Sequence, residues 1–256
     1  WVRSQPSWHY GSGLSTAEPL EANEEESQFR YKEGGGVNPW TAGELTLLHE
    51  TTSVHSSSAT NMSVLGVQTG VLFREDAVLT YIDNAGTATA VTWGGTGNIG
   101  SMTDTGQYYL VSNDTGIYRG DLPSSTGTLI YNNKSTPPYT LIRWIKSRVM
   151  YADGVDIHEI TDLTPSSATL PTTLFSHPNS GWEWTDFADG PTSIYASGYS
   201  LENSAIYRIG ISTTATTTTL SQPVIVAEMP RGEYILSMYS YVGSFLIIGT
   251  TNGVRV

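Results

Sequence analysis

From Ser63 onward the chain is a succession of short apolar and β-branched runs, each four to eight residues long and bounded by Gly, Asn, Asp or Pro. Runs of this length, with no sustained helical period between them, predict β-strands joined by tight turns. Clear cases are the segments 78–82, 108–112, 148–152, 194–196 and 245–248.

The runs repeat. The segment 106–111 leads through Asn113-Asp114-Thr115-Gly116 into Ile117-Tyr118-Arg119. The same strand, turn, strand layout recurs at 149–157, at 194–208 with a second Ile206-Tyr207-Arg208, and at 245–256. Equivalent apolar positions, Ile117, Val155, Ile206 and Val254, are spaced by 38, 51 and 48 residues, the size of a propeller blade. An apolar run precedes each hairpin (99–102, 139–145, 182–187, 234–238), and another follows the first three (129–131, 170–175, 224–227). Four strands per unit predicts an all-β fold, a β-propeller of four-stranded blades that stack radially because one sheet cannot bury both its faces alone. A β-sandwich is the competing architecture; the twofold Ile-Tyr-Arg signature favours the propeller.

Residues 1–62 lack this pattern and read as an extended N-terminal arm and polar linker, with 63–256 as the propeller region. The last unit stops after its third strand. Either 64–72 supplies the missing strand and closes the ring or the natural chain continues past Val256, and the second is expected. A start without Met points the same way, to a processed or partial chain.

Composition narrows the function. Charged residues are 14% of the chain and the formal net charge is -12, so phosphate backbones and anionic lipid surfaces are repelled and no nucleic-acid partner is expected. No apolar run approaches the roughly 20 residues that span a bilayer, so no membrane insertion is expected. The absence of Cys excludes disulfides and thiolate chemistry.

The candidate chemistry is sparse. His9, His49, His55, His158 and His177 show no metal-ligand spacing, and the common hydrolase and nucleotide-binding motifs are missing. No metal, cofactor or catalytic residue is therefore assigned. A glycosidase would need a carboxylate pair, for which Glu183, Asp186 and Asp189 beside Trp182 and Trp184 are the candidates. Strand alternation, however, puts both indoles on one face and Glu183 on the other, a pattern that core packing explains. The stretch 112–118 is similar to the Asp-box turn of sialidase-like propellers, in which Asn or Asp bonds the turn backbone and Gly supplies positive φ; that turn is structural. The acidic run 21–26 has no cation-loop frame and reads as a solvated face. The Thr-rich segment 213–219 reads as a hairpin loop at a blade edge.

Several spaced segments carry a family resemblance. Trp8-His9-Tyr10-Gly11-Ser12-Gly13, followed by Val37-Asn38-Pro39-Trp40-Thr41-Ala42-Gly43 and the segment 45–48, resembles the start of minor tail proteins from siphoviruses of actinobacteria. Trp182-Glu183-Trp184, the segments 193–198 and 205–208, and 232–255 are similar to blades of the same family. The resemblance implies a non-enzymatic structural protein of the virion at the distal phage tail, working in tail assembly and host attachment. Its implied partners are other tail proteins and host cell-surface glycan, and it implies a homo-oligomer with a trimer favoured. On this reading Trp8, His9, Tyr10 and Trp40 anchor the arm on a neighbouring subunit. Two other functions were weighed: a tail-borne glycan hydrolase of sialidase or depolymerase type, and a secreted carbohydrate-binding propeller.

Overall fold

The computed structural model describes residues 37–38, 46–47, 53, 55–121, 126–133, 140–201, 203–213, 218–241 and 245–256. The chain divides into two compact units, 1–53 and 54–256. In the first, β1 (Val37–Asn38) pairs antiparallel with β2 (Thr46–Leu47), Val37 opposite Leu47. Trp8, His9, Tyr10 and Trp40, the acidic run 21–26 and His49 lie outside the described residues.

The second unit is an all-β propeller of five blades, with no helix among the described residues. Blade one is β3 (Met62–Val67), β4 (Gly70–Glu75), β5 (Val78–Asp83) and β6 (Ala88–Val91), an antiparallel meander. Blade two is β7 (Ser101–Asp104), β8 (Tyr109–Ser112), β9 (Gly116–Gly120) and β10 (Thr128–Asn132). Blade three contains β11 (Thr140–Ile145), β12 (Arg148–Asp153) and β13 (Asp156–Ile160). The chain then leaves to add β14 (Ala168–Thr169) parallel to β10 and returns to complete blade three with β15 (Thr173–Ser176). Blade four comprises β16 (Glu183–Asp189), β17 (Ser193–Ser200), the long β18 (Asn203–Thr213), β19 (Thr218–Leu220) on the far end of β18, and β20 (Val224–Glu228) as its outer strand. Blade five has three strands, β21 (Ile235–Tyr241), β22 (Phe245–Thr250) and β23 (Gly253–Arg255).

Two details correct the sequence reading. The segment 64–72 does not complete the last unit; it forms β3 and β4 of a blade that the repeat count had not included. The run 170–175, read as one outer strand, enters its strand only at Thr173, because the chain first adds Ala168 and Thr169, just before the run, to Tyr131 and Asn132 of blade two. The first propeller strand starts at Met62, and 54–61 belong to the propeller unit.

Burial follows the strand period. In β12, Val149 and Tyr151 pack into the cluster between blades two and three, while Met150 and Ala152 enter the one between blades three and four. In β8, Tyr109 and Val111 face blade one and Leu110 faces blade three. Side chains alternate across a strand, so a middle strand must be apolar throughout to satisfy two neighbours. Such strands therefore read as continuous apolar runs. Blade four meets blade five through Ala188 and Ile206 against Ile235, Met238 and Ile248.

The turn after β8 works differently from its sequence reading. Asn113 Oδ1 accepts from the backbone N–H of Thr115 (2.9 Å) and of Gly116 (3.2 Å), so Asn113 organises the turn rather than Asp114. Gly116 is not in the left-handed region. Glycine is required there because a Cβ would lie 2.1 Å from the Tyr131 carbonyl oxygen.

Blade five is pinned by one ion pair. The Glu233 carboxylate, 1% exposed, accepts from Arg255 Nε (2.6 Å) and Nη2 (2.5 Å) and from Thr250 Oγ1 (2.6 Å). It thereby ties the entry to β21 to both later strands. The Arg255 guanidinium, with the Thr250 hydroxyl, holds its pKa down to about 2 from an ordinary 4.5. A carboxyl with a depressed folded-state pKa contributes stability that is fully present above pH 4.5 and is lost as pH falls toward 2. Thermal melts of wild type and Glu233→Gln are therefore expected to differ most at neutral pH and to converge as pH falls from 4.5 to 2. An unchanged gap would refute the assignment.

Candidate functional site: the cavity between the inner strands

The first strands of successive blades touch one another: β3 meets β7, β7 meets β11, β11 meets β16 and β16 meets β21. Between them lies a cavity of about 580 Å³, within the range of about 300–1,000 Å³ common for small-ligand sites. Its wall carries many hydroxyl side chains, and several already bridge blades. Ser101 Oγ donates to the Ile142 carbonyl (3.3 Å), the Trp144 N–H donates to Thr103 Oγ1 (3.0 Å), and the Ser112 and Thr140 hydroxyls share a bond of 3.0 Å. These contacts hold blades two and three in register at the cavity rim.

Three charged side chains reach the cavity: Arg74, Arg143 and Glu183. Arg74, from β4, donates through Nη1 to the carbonyls of Ile99 (3.0 Å) and Gly100 (2.5 Å). Burial pulls its pKa below the usual arginine value, and no carboxylate among the described residues forms an ion pair with it. Arg143, from β11, donates through Nε to Asp186 Oδ1 (3.1 Å). Glu183 opens β16 and accepts from the Tyr199 hydroxyl of β17 (2.6 Å).

The three carboxylates singled out in the sequence have separate duties. A bulge between Trp184 and Asp186 sets Asp186 opposite Ser197, on the side of Glu183 and Tyr199. Asp186 Oδ1 accepts from Arg143 and from the Phe187 N–H (2.9 Å), and Oδ2 accepts from the Met238 N–H (2.9 Å). One buried carboxylate thus ties blades three, four and five together. Asp189 is 56% exposed and pairs with Lys146 (2.9 Å). Of the three, only Glu183 lines the cavity.

Trp182 and Trp184 lie on the opposite face from Glu183, buried between blades three and four with ring centroids 5.5 Å apart. His177 stacks on Trp182 at 4.1 Å and shares a hydrogen bond with the Tyr207 hydroxyl (2.8 Å); burial lowers its pKa. Phe175 and Tyr207 complete the group, and Trp184 Nε1 donates to the Val155 carbonyl (3.1 Å). His158 is buried with Nδ1 at the Pro171 carbonyl, and His55 bonds Glu75. No group of three His, Asp or Glu side chains among the described residues could hold a metal.

Sequence reasoning missed Arg74, Arg143 and Tyr199. A signal existed for Arg143: it is the lone charge inside a strand that is otherwise mostly apolar, where Arg is rare unless it has a task, whereas Arg74 stands beside Glu75 in its strand.

No protein-family model matches the sequence, and no curated protein does. Among solved structures, the chain is similar to the extracellular domain of a protein described as a hybrid two-component system of B. thetaiotaomicron, at 11% identity and a TM-score of 0.55, covering 79% of this chain and 27% of that one. It is also similar to the WD40 domain of Neurospora crassa Pan2 (11% identity, TM-score 0.49, 73% and 57% covered). A further match is AztD from Citrobacter koseri (8% identity, TM-score 0.49, 76% and 60% covered). The chain spans less than two thirds of each of these, and at such identities the likeness is one of fold.

Proposed function

We propose that this chain is a non-enzymatic structural protein of a phage tail, located in the virion at the distal tip, where it joins other tail proteins and contributes to attachment at host cell-surface glycan. The family resemblance of its spaced motifs suggests the setting. The observation that carries the non-catalytic part is Asp186: the carboxylate best placed to partner Glu183 spends both oxygens on Arg143, Phe187 and Met238. A general acid or base must reach the reacting atom, and Asp186, buried and with three of its roughly four acceptor positions taken, does not line the cavity. A rigid β scaffold that presents loops suits assembly and recognition.

A tail-borne glycan hydrolase is the second reading, favoured by the Tyr199–Glu183 pair at the cavity wall, since a carboxylate beside a tyrosine hydroxyl can act on a glycosidic bond. Incubation with actinobacterial wall polysaccharide separates the two. New reducing ends that vanish in Glu183→Gln would support the hydrolase. The tail assignment is tested by mass spectrometry of purified virions and by gold-labelled antibody against the propeller. The protein is expected in virions with label at the tail tip, and its absence from virions would overturn the proposal.

A further inference from the structure

We propose that the cavity between the inner strands binds a carboxylate-bearing sugar unit, its carboxylate at Arg74 and its hydroxyls at Glu183; the inference rests on the glycan-attachment reading and places the contact at the inner strands.

Charge at the cavity wall is incompletely paired. A charge taken out of water is normally paired. Arg143 obeys this through Asp186. Arg74 forms no such pair: it is half-buried at the cavity wall, donates to the carbonyl oxygens of Ile99 and Gly100, and feels the Asp76 carboxylate only through space. Both carbonyls are met by Nη1, and the buried Nε has no hydrogen-bond partner, so the guanidinium keeps donor capacity that a carboxylate can satisfy. In a chain of net charge -12, a cavity-lining cation with no hydrogen-bonded carboxylate is a local exception to the surrounding field.

Glu183 supplies the other half. Its carboxylate has about four acceptor positions, and the Tyr199 hydroxyl is the one donor described for it. It can accept from hydroxyl groups but repels a bare anion. A neutral sugar would leave Arg74 unanswered, and a small anion would gain nothing from Glu183. A ligand with one carboxylate and several hydroxyls satisfies both, and selection then comes as much from the unmet partner in the wrong ligand as from contact with the right one. The hydroxyl-rich rim, with Ser63 and Thr185 beside the charged groups, suits a polar, hydrated guest.

The test is titration of the 256-residue chain, followed by amide NMR, with glucuronate, glucose and acetate as probes. Glucuronate is expected to bind saturably and at least tenfold more tightly than glucose or acetate, with shifts in the amides of 63–65, 100–103 and 183–185. Arg74→Gln is expected to weaken glucuronate at least tenfold, and Glu183→Gln to narrow its advantage over acetate. Equal binding of all three probes, no saturable binding, or a wild-type affinity in Arg74→Gln would overturn the proposal. Should Arg74→Gln fail to fold, the wild-type shift map decides, and shifts confined to other regions count against the site. Glucuronate binding by a protein absent from virions would sink the tail role and leave the site, whereas tip labelling without glucuronate binding would do the reverse.

Discussion

Replacing Asp186 by alanine is expected to lower the free energy of unfolding by about 3–5 kcal/mol, the range for breaking a buried, hydrogen-bonded charge pair from one side. The cost has three parts. The Phe187 and Met238 N–H groups lose their described acceptor in a buried setting, and the Arg143 guanidinium loses its counter-charge. Each orphaned donor costs about 1–3 kcal/mol, while Arg143, 38% exposed, recovers part of its loss from water. Asp186→Asn keeps one acceptor oxygen and should cost less. Urea unfolding followed by tryptophan fluorescence reads both variants. A loss under about 1 kcal/mol for Asp186→Ala would mean that the carboxylate does not tie the three blades together.

Trp184→Ala carries the other large effect, about 3–5 kcal/mol for truncating a buried aromatic side chain. The indole fills the junction of blades three and four, in edge contact with Trp182, Phe175 and Tyr207, and its Nε1 satisfies the Val155 carbonyl. Truncation opens a cavity and leaves that carbonyl without its described donor. The Trp184→Phe variant restores ring volume but not the N–H, so it should recover more than half of the loss. Equilibrium unfolding of the pair, with near-ultraviolet circular dichroism to follow the aromatic cluster, checks the expectation. Equal stability of Trp184→Ala and wild type would refute it.

Much of the architecture was legible because a propeller imposes a strict pattern on its middle strands. β12 is apolar almost without break since both its faces are covered, and the segment 148–152 announced that directly. Blade one was harder to read: its outer strand, Ala88–Val91, is exposed at three of four positions and lacks a strong apolar signal. The detour of Ala168 and Thr169 is a parallel pairing with β10 from a different blade, which no local pattern encodes. At the site, alternation correctly put Glu183 opposite the two indoles. It could not anticipate the bulge that turns Asp186 toward Met238, because one extra residue reverses the facing of everything after it. The convergence of Arg74 with Arg143 joins residues of different blades and is a product of topology alone.

The four apolar clusters join blades one to two, two to three, three to four and four to five, and none among the described residues joins blade five to blade one. In energetic terms each cluster couples a blade to its neighbour in sequence. Among the described residues, blades two, three and four each share two such clusters, and blades one and five each share one. The Glu233–Arg255 clamp lies in blade five, where a buried carboxylate under a half-exposed guanidinium adds cohesion within a sheet that shares one apolar cluster.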